Sequence, residues 1–489
     1  MSRSLRTAVL SVCLFLLLPL LAAGKPAPAR KAAKVSPNKE SAVASIDRHR
    51  SEMTGLSDQV WRFAETALRE TRSSKALADF AEAQGFHVER GVAGMPTAFV
   101  ASFGEGKPVV GILGEFDALP GISQKAQPEK EALEPGAPGH GCGHNLFGVA
   151  SLGAATAIKE LIQAGNLQGT IRFYGTPAEE SVGGKLYMIR AGLFKDVDTV
   201  LAWHPSSEVR ADTRSSQAMV DLMVEFHGKA AHAAFDPWNG RSALDAAELF
   251  THGLNLMREH VRPSVRMHYV FKDGGDVPNV VPDHAAVWCW LRDSKHASVD
   301  ELLERVRKIG EGAALAAGVE GGVRVQSGDY EMLVNMTGER IIQRNLEWLG
   351  AVPFSEKDQE FARRVEKSAG VEEKGLDGSV QPLDENPGPP EGGSTDVADV
   401  SWNVPTLHLS VTTAPANTAW HAWPVAACAG TSVGHEGMIY ASKALAATAV
   451  DLFESPEQRA AIRREFDEKS KGTTYKGYIP DGPPPVPAQ

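Results

Sequence analysis

The chain has 489 residues, 43% apolar and 23% charged, with 47 glycines and 30 prolines. That composition excludes wholesale disorder and collagen-like repeats, and the length points to two domains or to one domain with an insertion. The net charge is −11, with seven basic residues and one acidic in positions 1–40 and 43 basic against 60 acidic beyond, a balance opposite to that of a nucleic-acid binder.

Residues 1–24 read as a secretory signal peptide. Arg3 and Arg6 precede the apolar run Ala8–Ala23, and Ala22-Ala23-Gly24 offers a small-residue cleavage site. A membrane anchor is the alternative, but the run is short and Pro19 interrupts it. The expectation is an exported protein, periplasmic or secreted, with no permanent membrane anchor. A basic spacer follows over 25–44. Cys13 leaves with the signal, so Cys142, Cys289 and Cys428 remain. That is no disulfide framework, and one of them is expected free or on a metal.

Residues 46–85 have helical spacing. Thr97–Phe103 and Val109–Leu113 read as strands, Leu146–Ala164 as a small-residue helix, and Thr170–Tyr174 and Thr199–Trp203 as strands. This alternation predicts an α/β domain with a mostly parallel sheet. From Gln217 the order changes to strand Ala218–Phe226, helix Ser242–His260, strands Val265–Phe271 and Ala285–Leu291, helix Ser298–Ala317 and strand Val323–Gln326. That is the ferredoxin-like α+β order. The α/β texture returns with Ile341–Leu349, a Gly/Pro/acid-rich loop over 370–395, strand Val404–Val411 and helix Thr431–Leu452. The expected division is a catalytic domain in two parts, 45–216 and 328–455, split by a dimerisation (lid) domain at 217–327. A Pro-rich C-terminal tail covers 456–489.

Five stretches carry ligand-type residues, four beside predicted strands or loops and one at a helix start. Open α/β sheets bind at the carboxyl ends of their strands, so distant ligands can converge there. Glu115 and Asp117 follow the second strand, where a solvated turn is the plain alternative. Gly139-His140-Gly141-Cys142-Gly143-His144 puts soft and borderline metal donors in a Gly-rich loop. A Gly-rich helix cap or a Cys142–His144 nucleophilic pair would also fit that loop. Glu179 and Glu180 are adjacent carboxylates, which repel unless a cation or a shared proton separates them. His204 follows a strand, and His435 stands in Gly434-His435-Glu436-Gly437. Cys142, His144, Glu180, His204 and His435 are too many ligands for one tetrahedral zinc and suit two metals.

These motifs, with Gly393–Trp402 and Gly430–His435, resemble the di-metal aminoacylase/carboxypeptidase family of amidohydrolases. The Cys-Gly-His signature is similar to the branch of auxin-conjugate, hippurate and p-aminobenzoyl-glutamate hydrolases. The resemblance covers about residues 45–455. It implies two divalent ions per subunit, zinc or manganese, held by Cys142, His144, Glu180, His204 and His435. It implies Glu179 as general base and Asp117 as the carboxylate that orients the site. In the inserted domain it implies that His232 polarises the scissile carbonyl of a partner subunit's substrate. Asn279 and Arg292 would bind the substrate carboxylate. The implied substrate is a small N-acyl amino acid, with p-aminobenzoyl-glutamate the named candidate. The implied partner is a second copy in a homodimer or a related A-type subunit. Three alternatives stay open: a dipeptidase or aminoacylase of other specificity, a non-catalytic metal-binding module, and a cysteine amidase.

Overall fold

A computed structural model describes residues 35–487 except 391. The predicted signal peptide and most of the basic spacer lie outside the described residues. The spacer expected to run to 44 ends sooner, because Pro37 opens helix α1 (Pro37–Phe63). Pro suits a helix start, where its missing N–H is not needed. Ala42 of that helix is fully buried, and Lys39 Nζ pairs with Asp451 Oδ2 at 2.7 Å. The single helical stretch expected over 46–85 is two helices, α1 and α2 (Thr71–Ala83). The break falls at Ala64 and Leu68, both at positive φ. Glu65 in the break accepts the Arg72 and Ser73 backbone amides at the start of α2.

Strands β1 (His87–Arg90), β2 (Phe99–Glu105) and β3 (Val109–Glu115) lead to helix α3 (His144–Gln163), then β4 (Gly169–Thr176), α4 (Gly184–Arg190), β5 (Thr199–Ser206) and β6 (Arg210–Ala211). The inserted segment runs β7 (Ala218–His227), α5 (Ala243–Met257), β8 (Arg266–Asp273), β9 (His284–Asp293), α6 (His296–Ala317) and β10 (Glu320–Asp329). The chain returns through α7 (Met336–Leu349), α8 (Glu356–Ala369), α9 (Val397–Ser401), β11 (Thr406–Thr412), α10 (Trp423–Ala429), α11 (Ser432–Glu454) and α12 (Pro456–Lys469). Helix α12 corrects the tail expected from 456. Its Glu465 accepts the Met336 and Thr337 amides of α7, each at 2.8 Å. The residues after it pack too: Tyr478 is buried and its hydroxyl donates to Asp300 Oδ1 at 2.7 Å.

The large sheet has the order β1-β2-β4-β3-β5-β11-β6. Its centre, β4-β3-β5-β11, is parallel, and the flanking pairs are antiparallel. Strand β3 is buried along its whole length, as a strand covered on both faces must be. Helix α3 packs on it and against both α1 and α11. The approach is close: a Cβ on Gly148 would stand 2.6 Å from Glu115 O, so a side chain there would push α3 off the sheet. The second sheet, order β10-β7-β9-β8, is antiparallel throughout, with a core of its own. Along β9 buried and half-buried residues alternate, because one face meets α5 and α6.

Candidate metal centre and active site

The four adjacent parallel strands all end toward one place. Glu115 ends β3 and Asp117 follows it. Beyond β4 stand Glu179 and Glu180. His204 is on β5, and His421 follows β11. The start of α3 adds Cys142 and His144. Gly143, between them, has φ +78°, a left-handed turn that glycine adopts without strain. Ala178 (φ +63°) makes a second left-handed turn before Glu179 and costs on the order of 1–3 kcal/mol. Its amide is held by Glu70 Oε1 at 3.0 Å, a support that no sequence pattern marks.

Three groups of donor atoms lie within 4.8 Å of one another: Cys142, His144 and His204; Cys142, Glu180 and His421; Glu115, His144 and Glu179. His144 Nδ1 bonds Asp117 Oδ1 at 2.9 Å, leaving Nε2 at 3.1 Å from Glu115 Oε2 and 4.0 Å from Glu180 Oε1. His204 Nδ1 donates to Pro205 O at 2.7 Å, which leaves its Nε2 lone pair 3.4 Å from Cys142 Sγ. A carboxylate or carbonyl that fixes the far nitrogen of an imidazole is the usual support of a metal-ligating histidine. Asp117 serves two partners, since its Oδ2 accepts the Glu180 amide at 3.0 Å.

A cation fits this donor set. His144 Nε2, Glu115 Oε2 and Glu180 Oε1 are buried without a hydrogen-bond partner, which is costly unless something else binds them. Burial, then the nearby Glu115, Glu180 and Asp396, push the Glu179 carboxyl well above its usual range. Burial raises Glu180 to about 7, with Asp117 and Glu115 adding to it and His144 opposing. Carboxylates this crowded need positive charge to ionise together. Burial lowers His204 to about 4, so it is a neutral imidazole with a free lone pair. Burial also pushes the Cys142 thiol up. That disfavours a free thiolate nucleophile, whereas coordination removes the thiol proton outright.

His435 stands apart from the cluster. Its Nε2 meets Asp58 Oδ1 of α1 at 3.0 Å. His421, absent from the set expected from sequence, stands at the cluster instead, with Nε2 3.6 Å from Glu180 Oε2. It lies nine residues beyond β11, in a loop that no sequence pattern marks as a ligand position. His140 is structural, bonding Val60 O at 3.0 Å. Trp203 is fully buried and donates to Phe147 O, while Trp420 has its ring 6.1 Å from His204.

The inserted sheet carries the remaining predicted residues. Arg292 lies over Trp290, and its Nη1 donates to Ser394 Oγ at 3.0 Å, joining the sheet to the 393–402 motif. His232 and Asn279 neighbour each other in exposed loops: His232 bridges Val280, and the Ala233 amide donates to Asn279 O at 3.0 Å. His232 Nδ1 accepts the Ala234 and Phe235 amides.

Comparison with known proteins shows the family. The model of peptidase family M20/M25/M40 matches residues 111–424. The chain is 35% identical over 469 residues to the B-type subunit of p-aminobenzoyl-glutamate hydrolase from Escherichia coli (strain K12), covering 91% of this chain and 98% of that one. It is 30% identical to the Xaa-Arg dipeptidase of Homo sapiens, covering 87% of this chain and 91% of that one. Among solved structures it shares its fold with a dinuclear metal-binding M20 peptidase of Bacillus subtilis, with TM-score 0.57 and 18% identity over 83% of this chain and 99% of that one. The chain therefore belongs to peptidase family M20/M25/M40, as a hydrolase that acts on amide bonds.

Proposed function

We propose that the chain hydrolyses the amide bond of an N-acyl or N-aroyl amino acid, with p-aminobenzoyl-glutamate as first candidate. The observation that carries this reading is the group of buried, partnerless donor atoms on His144, Glu115 and Glu180 beside Cys142, His204, Glu179 and His421. The E. coli relative's name supplies the candidate substrate. Cys142, His144, His204, Glu180, His421 and Glu115 would hold two divalent ions; the thiolate favours zinc, and manganese is the alternative. Bound there, such ions supply Lewis-acid polarisation and a water acidic near neutral pH.

The protein's own groups do the rest. Glu179 accepts the proton of the attacking water on its carboxylate and delivers it to the leaving amine nitrogen. Its crowded, buried setting raises its proton affinity, which suits it to hold that proton between the two steps. Asp117 keeps His144 and Glu180 in register. Arg292 and Asn279 take the substrate carboxylate, for which a guanidinium fork is well shaped.

His232 is assigned to the scissile carbonyl of a neighbouring copy. In support, Phe235 and Trp238 beside it are 79% and 72% exposed, and the edge strand β8 exposes Val270 and Phe271. Large exposed apolar side chains and a bare strand edge suit cover by a second chain. A homodimer through the inserted domain is the proposed assembly. The E. coli relative is named as the B-type member of its enzyme, which supports an A-type partner as the other. Residues 1–24 support export to the periplasm or outside the cell.

The test is a panel of p-aminobenzoyl-glutamate, other N-acyl amino acids and Xaa-Arg dipeptides offered to the metal-loaded chain. Preferred cleavage of the N-aroyl substrate supports the reading. Preference for the dipeptides would move the chain to the activity named for its human relative. No amide hydrolysis by the loaded chain would sink the proposal.

A further inference from the structure

Lys185, at the start of α4, is fully buried. Its Nζ lies 2.7 Å from Glu115 Oε1 and 2.5 Å from Asp396 Oδ1, and its amide donates to Asp396 Oδ2 at 3.0 Å. Both carboxylates are buried as deeply. Asp396 thus grips Lys185 twice, by side chain and by backbone. Glu115 divides its two oxygens: Oε1 goes to the ammonium, and Oε2 is left without a hydrogen bond, 3.1 Å from His144 Nε2.

We propose that Lys185 is a positioning residue of the active site: its ammonium fixes the Glu115 carboxylate so that Oε2 points into the metal-ligand cluster. Two points carry the argument. A buried ammonium is expensive, and a well-packed apolar side chain of similar size would hold the fold as well or better. Folding alone therefore does not call for a charge at this place. Glu115 also cannot turn Oε2 away from His144 by rotating its carboxylate without breaking the bond from Oε1 to Lys185. The ammonium places a buried positive charge between the Glu115 and Asp396 carboxylates. The clamp is tied to the inserted sheet as well, because Ser394, two residues before Asp396, receives Arg292.

This inference rests on the proposed metal centre but can be tested without turnover. The probe is cobalt(II) added to the metal-free full-length chain, followed by its visible absorption spectrum and by calorimetry. Hydrolysis is measured in parallel. Lys185→Met should weaken the binding of one ion by about 10–100-fold, as loss of an outer-shell partner does, and change the spectrum. kcat should fall at least as much, with KM nearly unchanged. If Lys185→Met is insoluble, Lys185→Met/Asp396→Asn removes both charges of the pair, and the same loss of affinity is expected. Wild-type cobalt affinity and spectrum in whichever variant folds would overturn the proposal, whatever its melting temperature. A wild-type chain that binds two ions but cleaves no amide would sink the functional reading and leave this binding test standing.

Discussion

His421 Nε2 lies 3.6 Å from Glu180 Oε2, and both residues have donor atoms within 4.8 Å of the Cys142 thiol. His435 instead turns to Asp58 on α1. The two histidines therefore give opposite results. His421→Ala should remove an ion or weaken its binding at least about tenfold. His435→Ala should keep its full metal content. Metal analysis of the two purified variants decides between them, and loss of metal in His435→Ala alone would reverse the assignment.

Glu179 belongs to the group with Glu115 and His144 and is crowded by other acids. Glu179→Gln keeps the shape and removes the base. kcat should fall by about 10²–10⁴-fold, the usual worth of a general acid–base group, while both ions stay bound. Near-normal turnover in Glu179→Gln would mean that another group moves the proton.

Arg292 reaches Ser394 from the inserted sheet. If its fork also holds the substrate carboxylate, Arg292→Lys should raise KM about tenfold or more and change kcat less. An amide-capped substrate, already lacking the carboxylate, should be insensitive to the change. Equal losses on both substrates would assign Arg292 to structure.

Stability in acid should depend on Glu465. Burial raises its carboxyl, but Lys469, Thr337 and Met336 outweigh that and bring it from 4.5 to about 2. A carboxylate depressed on folding stabilises above its unfolded value and loses that contribution as pH falls through the folded one. Glu465→Gln should therefore cost about 1–2 kcal/mol at pH 7, the full shift being reduced by solvent screening of this partly exposed group. The gap from wild type should narrow as pH drops from 4.5 toward 2. Denaturant unfolding across that range measures it, and a gap independent of pH would refute the assignment.

The strand-end residues Asp117, Glu179, Glu180 and His204 were legible because parallel strands deliver their ends to one place, and Cys142 and His144 because their Gly-rich run stands at a helix start. The βαββαβ order of the inserted sheet was legible from its alternating strands. His421 was not. It sits nine residues beyond β11, in a loop with Asn417 and His421 both at positive φ, where no periodicity marks a position. His435 stood in a conspicuous Gly-His-Glu-Gly run, but the first turn of α11 faces it toward α1. Lys185 reads in sequence as a solvated helix charge, and only the packing of Glu115 and Asp396 around it reveals a buried ion. Helix α12 was hidden because its charged residues lack an apolar stripe, and only Ile462 and Phe466 are buried.

The most direct test compares chelation with alkylation on one preparation hydrolysing p-aminobenzoyl-glutamate. Metal-dependent hydrolysis predicts that activity disappears on chelation, returns with zinc or manganese, and withstands iodoacetamide while the metal occupies Cys142. Activity that survived complete metal removal and was destroyed by alkylation of Cys142 would contradict it.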